Sequence, residues 1–287
     1  MTAPAELPSR THPRNSGTGK VALSTVLVWL LAAAYFFPIL WFLLSSFKPG
    51  SELFRYPLTL FPESWTVSGY TIAWSRFDFA RYFANTATVA LVTTALTVIV
   101  SAATGYAFAK YKPLWLKVFF MGILATTMLP TEVIMPSTFT VIRNLGLYNQ
   151  LAGIIVPSIV TATGIFMFRQ YFMTVPDELL EAARIDGASE WRIFFSLMLP
   201  LAKPIAFTLA IFSFHWRWND YIWPLLVLND QKKYTLQVAL RSIVGAENID
   251  WSVLLSASVI SLVPMVMLFL VFQRHIMNAD MNSGLKD

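Results

Sequence analysis

The chain has 287 residues, of which 56% are hydrophobic, 15% aromatic and only 13% charged. This composition excludes an ordinary soluble globular protein and predicts a membrane protein. The apolar runs are continuous and about twenty residues long, so they predict an all-α polytopic membrane protein rather than a barrel of short alternating strands. The net charge of +5 comes from basic residues dispersed among the loops, which is usual beside membrane spans and does not indicate a nucleic acid partner. The chain contains no cysteine, which excludes disulfides and thiolate metal sites.

The hydropathy pattern predicts a transmembrane domain between two polar tails. Residues 1–20 are rich in Pro, Ser, Thr and Gly and are expected to form a disordered cytoplasmic tail. The first span is expected to stay uncleaved, because its apolar run is too long for the core of a signal peptide and has no small-residue cleavage site. The transmembrane domain is expected over 21–273 and a second cytoplasmic tail over 274–287. The predicted spans cover residues 21–46, 86–108, 118–142, 151–172, 204–228 and 253–272.

Lysine and arginine predict the orientation of these spans. Lys110, Lys112 and Lys117 directly follow the second span and mark its cytoplasmic side. Residues 47–84 and 229–250 are then external, and both termini are cytoplasmic. In this orientation the loop over 174–202 faces the cytoplasm.

This loop contains a polar, helix-rich segment, Pro176–Pro200, which we call the docking loop. Thr174 is expected to cap a helix over about Val175–Asp186, with Asp177 bonding back to the cap. Gly187 is expected to end that helix, and Ser189 to cap a second helix that stops before Pro200. Leu180, Ala183 and Gly187 share one helix face, which predicts a surface of small residues for a packing partner.

The docking loop carries a family resemblance. Its spacing resembles the E-A-A-x-x-x-G-x(9)-I-x-L-P loop of type I ABC importer membrane subunits. The matching residues are Glu181, Ala182 and Ala183, then Gly187 after three residues, and Leu197 to Pro200 after nine more, with leucine in place of isoleucine at position 197. The sequence around this motif is similar to that of the carbohydrate-importing branch of the MalG type. Ser46-Phe47-Lys48 also resembles a motif that follows the first span in carbohydrate permeases. An ordinary amphipathic loop is the alternative interpretation.

The resemblance implies six spans of the MetI-like permease fold and a coupling helix that docks on a cytoplasmic ATPase subunit. It also implies four partners: a second permease subunit of the MalF type, two ATPase subunits that bind ATP and Mg, and an extracytoplasmic sugar-binding protein. The implied coupling residues are Glu181, Ala182, Ala183, Asp186, Gly187, Leu197 and Pro200.

The sequence indicates no enzyme and no metal site. It contains no G-x-x-x-x-G-K-[ST] phosphate loop, so the chain by itself is not expected to hydrolyse ATP. His12, His215 and His275 are scattered and lack the spacing of metal ligands.

A polar cluster interrupts the fifth predicted span. Charges inside a membrane are costly and usually face the bundle interior or a wet cavity. Arg217 and Asp220 can pair at i, i+3 spacing, and His215 and Asn219 share a face at i, i+4. The segment Trp218–Pro224 resembles the W-N-D-[FY]-x-W-P motif of carbohydrate permeases. Trp216, Arg217, Trp218, Asn219 and Asp220 are therefore candidates for the translocation pathway, and a structural network that fixes the bundle is the alternative.

Glu132 is a further pathway candidate, because Pro130 and Pro136 should break the helix around it. A helix-capping role near the external interface is the favoured account of this residue.

These features predict the permease subunit of an ATP-driven sugar importer. The alternatives are an ion-coupled carrier that uses His215, Arg217 and Asp220, an ABC permease for a non-sugar solute, and a membrane scaffold. The docking loop favours the first hypothesis, because an ion-coupled carrier does not need it and usually contains paired internal repeats, which the sequence lacks.

Overall fold

The computed structural model describes residues 17–244 and 249–283, and every regular element within them is helical. The all-α fold expected from the composition is therefore confirmed. Residues 1–16 of the predicted N-terminal tail, 245–248 of the predicted external loop and 284–287 of the predicted C-terminal tail lie outside the described residues.

The α-helices of the described residues are α1 (Gly17–Ser45), α2 (Gly50–Leu53), α3 (Ser68–Arg76), α4 (Phe79–Lys110), α5 (Leu114–Thr126), α6 (Thr131–Asn144), α7 (Ala152–Ser158), α8 (Ala162–Met173), α9 (Asp177–Ile185), α10 (Glu190–Ile193), α11 (Leu199–Leu201), α12 (Lys203–Trp218), α13 (Ile222–Val227), α14 (Leu236–Val244) and α15 (Trp251–Ser283). A π-helical segment, Phe194–Met198, joins α10 to α11, and a short 3-10 turn, Gln231–Lys233, precedes α14.

Three of the helical segments in the described residues are long and apolar enough to cross a membrane: Thr25–Ser45, Phe79–Lys110 and Trp251–Gln273. Three bent pairs raise the number of possible spans to six: α5 with α6 at 110°, α7 with α8 at 41°, and Glu190–Leu201 with α12 at 77°. The first and last helices extend into the segments predicted as tails, since α1 begins at Gly17 and α15 ends at Ser283.

The interior spans are broken where the sequence places proline and polar residues. The third predicted span is not one interrupted helix but two helices that meet at a sharp bend before Pro130. The fifth predicted span also divides, because α12 ends at Trp218 and α13 starts at Ile222. Proline removes a backbone donor and its ring clashes with the preceding turn, which explains the first break. Asn219, Asp220 and Tyr221 lie in this break, and the first two belong to the polar cluster that interrupts the fifth predicted span.

The helix α4 packs along α8 and α12 and forms the centre of the bundle. Small residues allow these helices to approach closely. A Cβ atom on Gly105 would lie 2.6 Å from the Cβ atom of Phe168, and one on Gly164 would lie 2.5 Å from the Ser101 hydroxyl. The contact surfaces therefore have no room for an added methyl group.

One end of α4 meets the docking loop, and we call this the docking end of the bundle. At the opposite end, which we call the far end, the Asn85 side chain donates to the backbone oxygens of Lys232 and Tyr234 at 3.1 and 3.0 Å. The backbone N–H of Leu236 donates to the Thr86 hydroxyl at 2.7 Å. The predicted external loop 229–250 thus contains a packed helix, α14, that the sequence analysis missed.

The S-F-K motif joins the segment after α1 to α15 at the far end. The backbone oxygens of Ser46 and Lys48 accept from the hydroxyls of Ser256 and Ser252, at 3.1 and 3.2 Å. Lys48 is 3% exposed; its ammonium lies 3.9 Å from the Glu52 carboxylate and also donates to the Thr59 side chain. The two buried charges are therefore paired and hydrogen-bonded within this segment, which offsets the cost of burying them.

Candidate functional sites

The docking loop forms two helices that meet at Gly187. The Gly187 backbone has φ of +79°, which fits the left-handed conformation expected of a helix C-terminal cap. The Ser189 hydroxyl accepts from the backbone N–H of Arg192 at 3.4 Å and caps the second helix, as predicted. The loop is therefore a bent helical pair with a defined corner.

The predicted start of the first docking helix is wrong. Thr174 ends α8, and its hydroxyl donates to the backbone oxygen of Tyr171 at 2.7 Å instead of capping α9. Pro176 stands at the N-cap position of α9, and Asp177 meets Lys110 of α4 rather than a cap residue. The Lys110–Asp177 ion pair therefore takes the place of the predicted capping bond. A sequence pattern within one helix cannot reveal such a contact between two helices.

The predicted end of the second docking helix is also wrong. The helix continues from α10 through the π-helical segment to Leu201, so Pro200 lies inside it. The 77° bend follows at Ala202, between Leu201 and Lys203. π-helical turns and prolines are both common causes of helix kinks, and here they occur together.

Two of the three residues on the face predicted to meet a packing partner pack on this chain itself. Leu180 is 2% exposed and, with Ala183, contacts the buried cluster around Phe172 and Phe194, whereas Gly187 is exposed. The remaining surface of α9 and the corner that follows it are open, and Glu181, Ala182, Asp186 and Gly187 of the predicted coupling set are exposed there; we call this surface the open face. Leu197 is half-buried, in the same cluster as Leu180, while Pro200 is exposed.

Two large apolar side chains of the docking loop are also exposed, and the sequence pattern was not used to predict them. Ile185 is 86% exposed and Trp191 is 72% exposed, with the Trp191 ring stacked on Phe195 at 6.1 Å between centroids. Exposed apolar groups next to charged ones are typical of a protein interaction surface. The spacing Leu179, Ala182, Ile185 could have indicated this second apolar face.

A polar cluster fixes the docking loop to α4. The Lys110 ammonium, whose side chain is 5% exposed, lies 2.7 Å from the Asp177 carboxylate. The Glu190 carboxylate accepts from Arg184 at 2.7 Å, from the Tyr111 hydroxyl at 2.7 Å and from the Tyr106 hydroxyl at 3.1 Å. The loop is thus held at both of its helices, and none of these contacts was predicted.

The contacts also shift the acidity of the two carboxyl groups. The hydrogen bond from Lys110 lowers the pKa of Asp177. The hydrogen bonds from Arg184 and then Tyr111 lower the pKa of Glu190 to about 2. Both groups are therefore ionised at neutral pH, which keeps the cluster intact.

The interior polar cluster lines a cavity of 580 Å³. The Arg217 guanidinium lies 3.2 Å from the Asp220 carboxylate, so the predicted pair forms. The same Nη1 atom donates to the Ser158 hydroxyl at 2.9 Å, a partner that the sequence did not suggest. The Asn219 amide donates to the backbone oxygen of His215 at 3.0 Å, as their spacing predicts. The cavity is lined by Thr131, Ile134, Met135, Thr138, Pro157, Ser158, Val160, Thr161, Trp216, Arg217, Asp220 and Trp223.

Three of the candidate pathway residues lie elsewhere. Trp218 is 1% exposed, packs between Phe83 and Phe214, and donates from its indole to the backbone oxygen of Ser261 at 2.9 Å. Its environment fits the structural alternative. Asn219 is exposed but does not line the cavity. Glu132 is exposed in the first turn of α6, where a negative charge favours the helix N-terminus, while its neighbour Thr131 lines the cavity.

The chain is similar to known membrane components of transport systems. Residues 97–278 match the family described as the binding-protein-dependent transport system inner membrane component. The chain is 34% identical to the arabinooligosaccharides transport system permease protein AraQ of Halalkalibacterium halodurans, over 92% of this chain and 98% of that protein. It is 32% identical to the diacetylchitobiose uptake system permease protein NgcG of Streptomyces coelicolor, over 89% of this chain and 85% of that protein.

Two further similarities extend the range of solutes among the relatives. The sn-glycerol-3-phosphate transport system permease protein UgpE of Yersinia pestis is 33% identical over 83% of this chain and 88% of that protein. A crystal structure of a bacterial ABC transporter involved in the import of the acidic polysaccharide alginate contains a chain of the same fold. Its TM-score is 0.82 at 25% identity, covering 92% of this chain and 99% of that one.

Proposed function

Because the chain belongs to the family of binding-protein-dependent transport system inner membrane components, we propose that it is one membrane subunit of an ATP-driven saccharide importer. In this proposal it forms half of the translocation pathway together with a second permease subunit. Two cytoplasmic ATPase subunits bind ATP and Mg, and an extracytoplasmic binding protein delivers the solute. Family membership argues against the ion-coupled carrier and the membrane scaffold.

The proposed orientation places the docking end of the bundle and both termini in the cytoplasm. It is supported by Lys110, Lys112 and Lys117, which cluster at the docking end of α4 and just beyond it. The ATPase subunits then approach the face that contains Glu181, Ala182, Asp186 and Gly187. The saccharide class follows from the names of two relatives, whereas the sn-glycerol-3-phosphate relative keeps a non-sugar solute as the alternative.

The observation that carries the proposal is the attachment of the docking loop to the end of α4 by an ion pair and hydrogen bonds. Hydrolysis in one subunit opens a pathway in another only through a contact whose free energy differs between two states. A coupling element must therefore transmit displacement instead of absorbing it. Lys110 and Glu190 hold the two docking helices on α4, while the opposite face stays open for a partner. ATP hydrolysis itself is assigned to the partner subunits, since this chain lacks a phosphate loop.

The test is Gly187→Leu in the fully assembled complex. A Cβ atom at this position meets nothing within 4 Å, so the change adds apolar bulk at the exposed corner that is proposed to meet the ATPase. We expect the ATPase retained on purification to fall by about tenfold, the equivalent of 1.4 kcal/mol of docking energy, with loss of ATP-dependent uptake.

Gly146→Leu is the matched control. Gly146 also has a positive φ, +71°, and also meets nothing within 4 Å, but it lies near Asn149 at the far end. The backbone strain is therefore the same in kind, whereas ATPase retention should stay normal. Equal loss in both variants, or normal uptake in Gly187→Leu, would contradict the docking role.

A further inference from the structure

The cavity lies where three interrupted helix pairs meet. Thr131 opens α6 directly after the sharp bend, Thr161 lies in the break between α7 and α8, and Asp220 lies in the break between α12 and α13. Each of these residues lines the cavity. Interrupted helices in membrane transporters expose backbone polar groups and are tolerated where they line a cavity. The volume of 580 Å³ falls within the ~300–1,000 Å³ range of small-molecule sites.

The charges in this cavity cancel. Arg217 and Asp220 are the charged residues among those that line it in the described part of the chain. Their side chains are 20% and 18% exposed and lie 3.2 Å apart. An unpaired arginine would attract carboxylate or phosphate groups. Because Asp220 balances its charge, Arg217 can donate hydrogen bonds to a ligand without attracting anions.

The pair retains capacity for a ligand. Within residues 17–244 and 249–283, the recorded hydrogen bonds of the guanidinium come from Nη1, to Ser158 and Asp220. The donors on Nε and Nη2 remain open, and the carboxylate accepts hydrogen bonds only. Adjacent donor and acceptor groups match the neighbouring hydroxyls of a sugar ring, each of which both donates and accepts. Trp216 adds a 41% exposed aromatic ring on the cavity wall, suited to the apolar face of such a ring.

We propose that this cavity is a subsite for an uncharged saccharide unit, bound by Arg217 and Asp220 together, and that it discriminates against anionic saccharides. An anionic group would lose hydration in this cavity without a net positive charge to compensate for the loss, because Asp220 already balances the charge of Arg217. The names of the relatives include both uncharged and anionic solutes, so family membership leaves this preference open. The inference rests on the proposed function and adds direct solute contact by this chain.

The absence of native cysteine allows a direct binding test. In the assembled complex without its binding protein, Thr138→Cys places a single thiol of this chain on the cavity wall, and Thr140→Cys places one nearby on α6 that does not line the cavity. Thiol labelling of this chain is measured by mass spectrometry with arabinotriose or diacetylchitobiose as uncharged probes. Trigalacturonate and sn-glycerol-3-phosphate serve as anionic probes.

We expect at least one uncharged probe to slow labelling at position 138 by about tenfold, a ratio that corresponds to 1.4 kcal/mol. The anionic probes should have little effect, and labelling at position 140 should not change with any probe. Equal protection by both classes, protection by anionic probes alone, or no protection by any probe would overturn the proposal.

Charge variants test the cause of the preference. Asp220→Asn leaves Arg217 unbalanced, so the anionic probes should now slow labelling at position 138. The double variant Arg217→Gln with Asp220→Asn restores neutrality and should again prefer uncharged probes, which separates the charge effect from misfolding. An unchanged preference in Asp220→Asn would overturn the proposal.

ATP-dependent uptake measured on the same complex distinguishes failure of the subsite from failure of the proposed function. Uptake without protection of the thiol by any probe refutes the subsite alone. Absence of ATP-dependent uptake refutes the proposed function.

Discussion

At the residue scale, Glu190 is the group that holds the docking loop together. Its carboxylate accepts three hydrogen bonds, from Arg184 on α9 and from Tyr106 and Tyr111 at the end of α4. Charge-assisted hydrogen bonds are stronger than neutral ones, so one ionised side chain joins three segments. The motif residue Glu181 lies on the open face and takes no part in this cluster, which leaves it available for a partner.

The acidity of Glu190 gives a pH prediction. Its folded pKa, about 2, lies below the ordinary value of 4.5, so its contribution is complete above pH 4.5 and is lost as the pH falls towards 2. We expect amide protection of α9, corrected for the intrinsic pH dependence of hydrogen exchange, to be constant from neutral pH to about 4.5 and to fall below it.

The control for this prediction is Glu190→Gln. Without the ionisable group, protection of α9 should be weaker at neutral pH and should lack the fall between pH 4.5 and 2. Asp177 has a lowered pKa as well, so a residual fall in the variant is assigned to the Lys110 contact. A full-sized fall in Glu190→Gln would show that Glu190 is not the titrating group.

At the element scale, the close contact between α4 and α8 depends on glycines that leave no room for a side chain, and Gly105 on α4 is one of them. Gly105→Ala would place its methyl group 2.6 Å from the Phe168 Cβ atom and 2.9 Å from the Arg169 backbone nitrogen, both closer than real Cβ contacts. We expect a destabilisation of about 1–3 kcal/mol, typical of overpacking, measured by unfolding of the purified protein in detergent or bilayer.

Gly122→Ala is the matched control, because Gly122 also lies inside a helix, α5, but its added Cβ atom meets nothing within 4 Å. Alanine is the better helix former, so this variant should be neutral or slightly more stable. Destabilisation of the two variants to the same extent would contradict the close-packing account of α4.

The elements also show what the sequence could and could not predict. Continuous apolar runs and motif spacing predict the helical class, the capped corner at Gly187 and Ser189, and the Arg217–Asp220 pair, because all of these depend on neighbours within one helical turn or two. The Lys110–Asp177 pair and the Tyr106–Glu190 bond join residues 67 and 84 positions apart. Asp177 was expected to bond back to Thr174, but it pairs with Lys110 of α4, a contact that a local pattern does not contain.

At the scale of the whole molecule, α4 links the docking loop to the cavity wall. Its 32 residues contact the docking loop through Tyr106 and Lys110 at one end. Farther along, the Thr97 hydroxyl donates to the backbone oxygen of Ser158 at 3.3 Å, and the Ser158 hydroxyl accepts from Arg217. A displacement of α4 relative to α7 therefore acts on a residue that lines the cavity.

Site-specific photo-cross-linking in intact cells measures whether the open face of the docking loop meets a cytoplasmic ATPase subunit, as proposed. A photoreactive amino acid replaces Ala182, which is exposed on that face, or Ser51, which is exposed near the far end. We expect a cross-link from position 182 to the ATPase subunit and none from position 51. A cross-link to the ATPase from position 51, or its absence from position 182 in a complex that imports solute, would contradict the account.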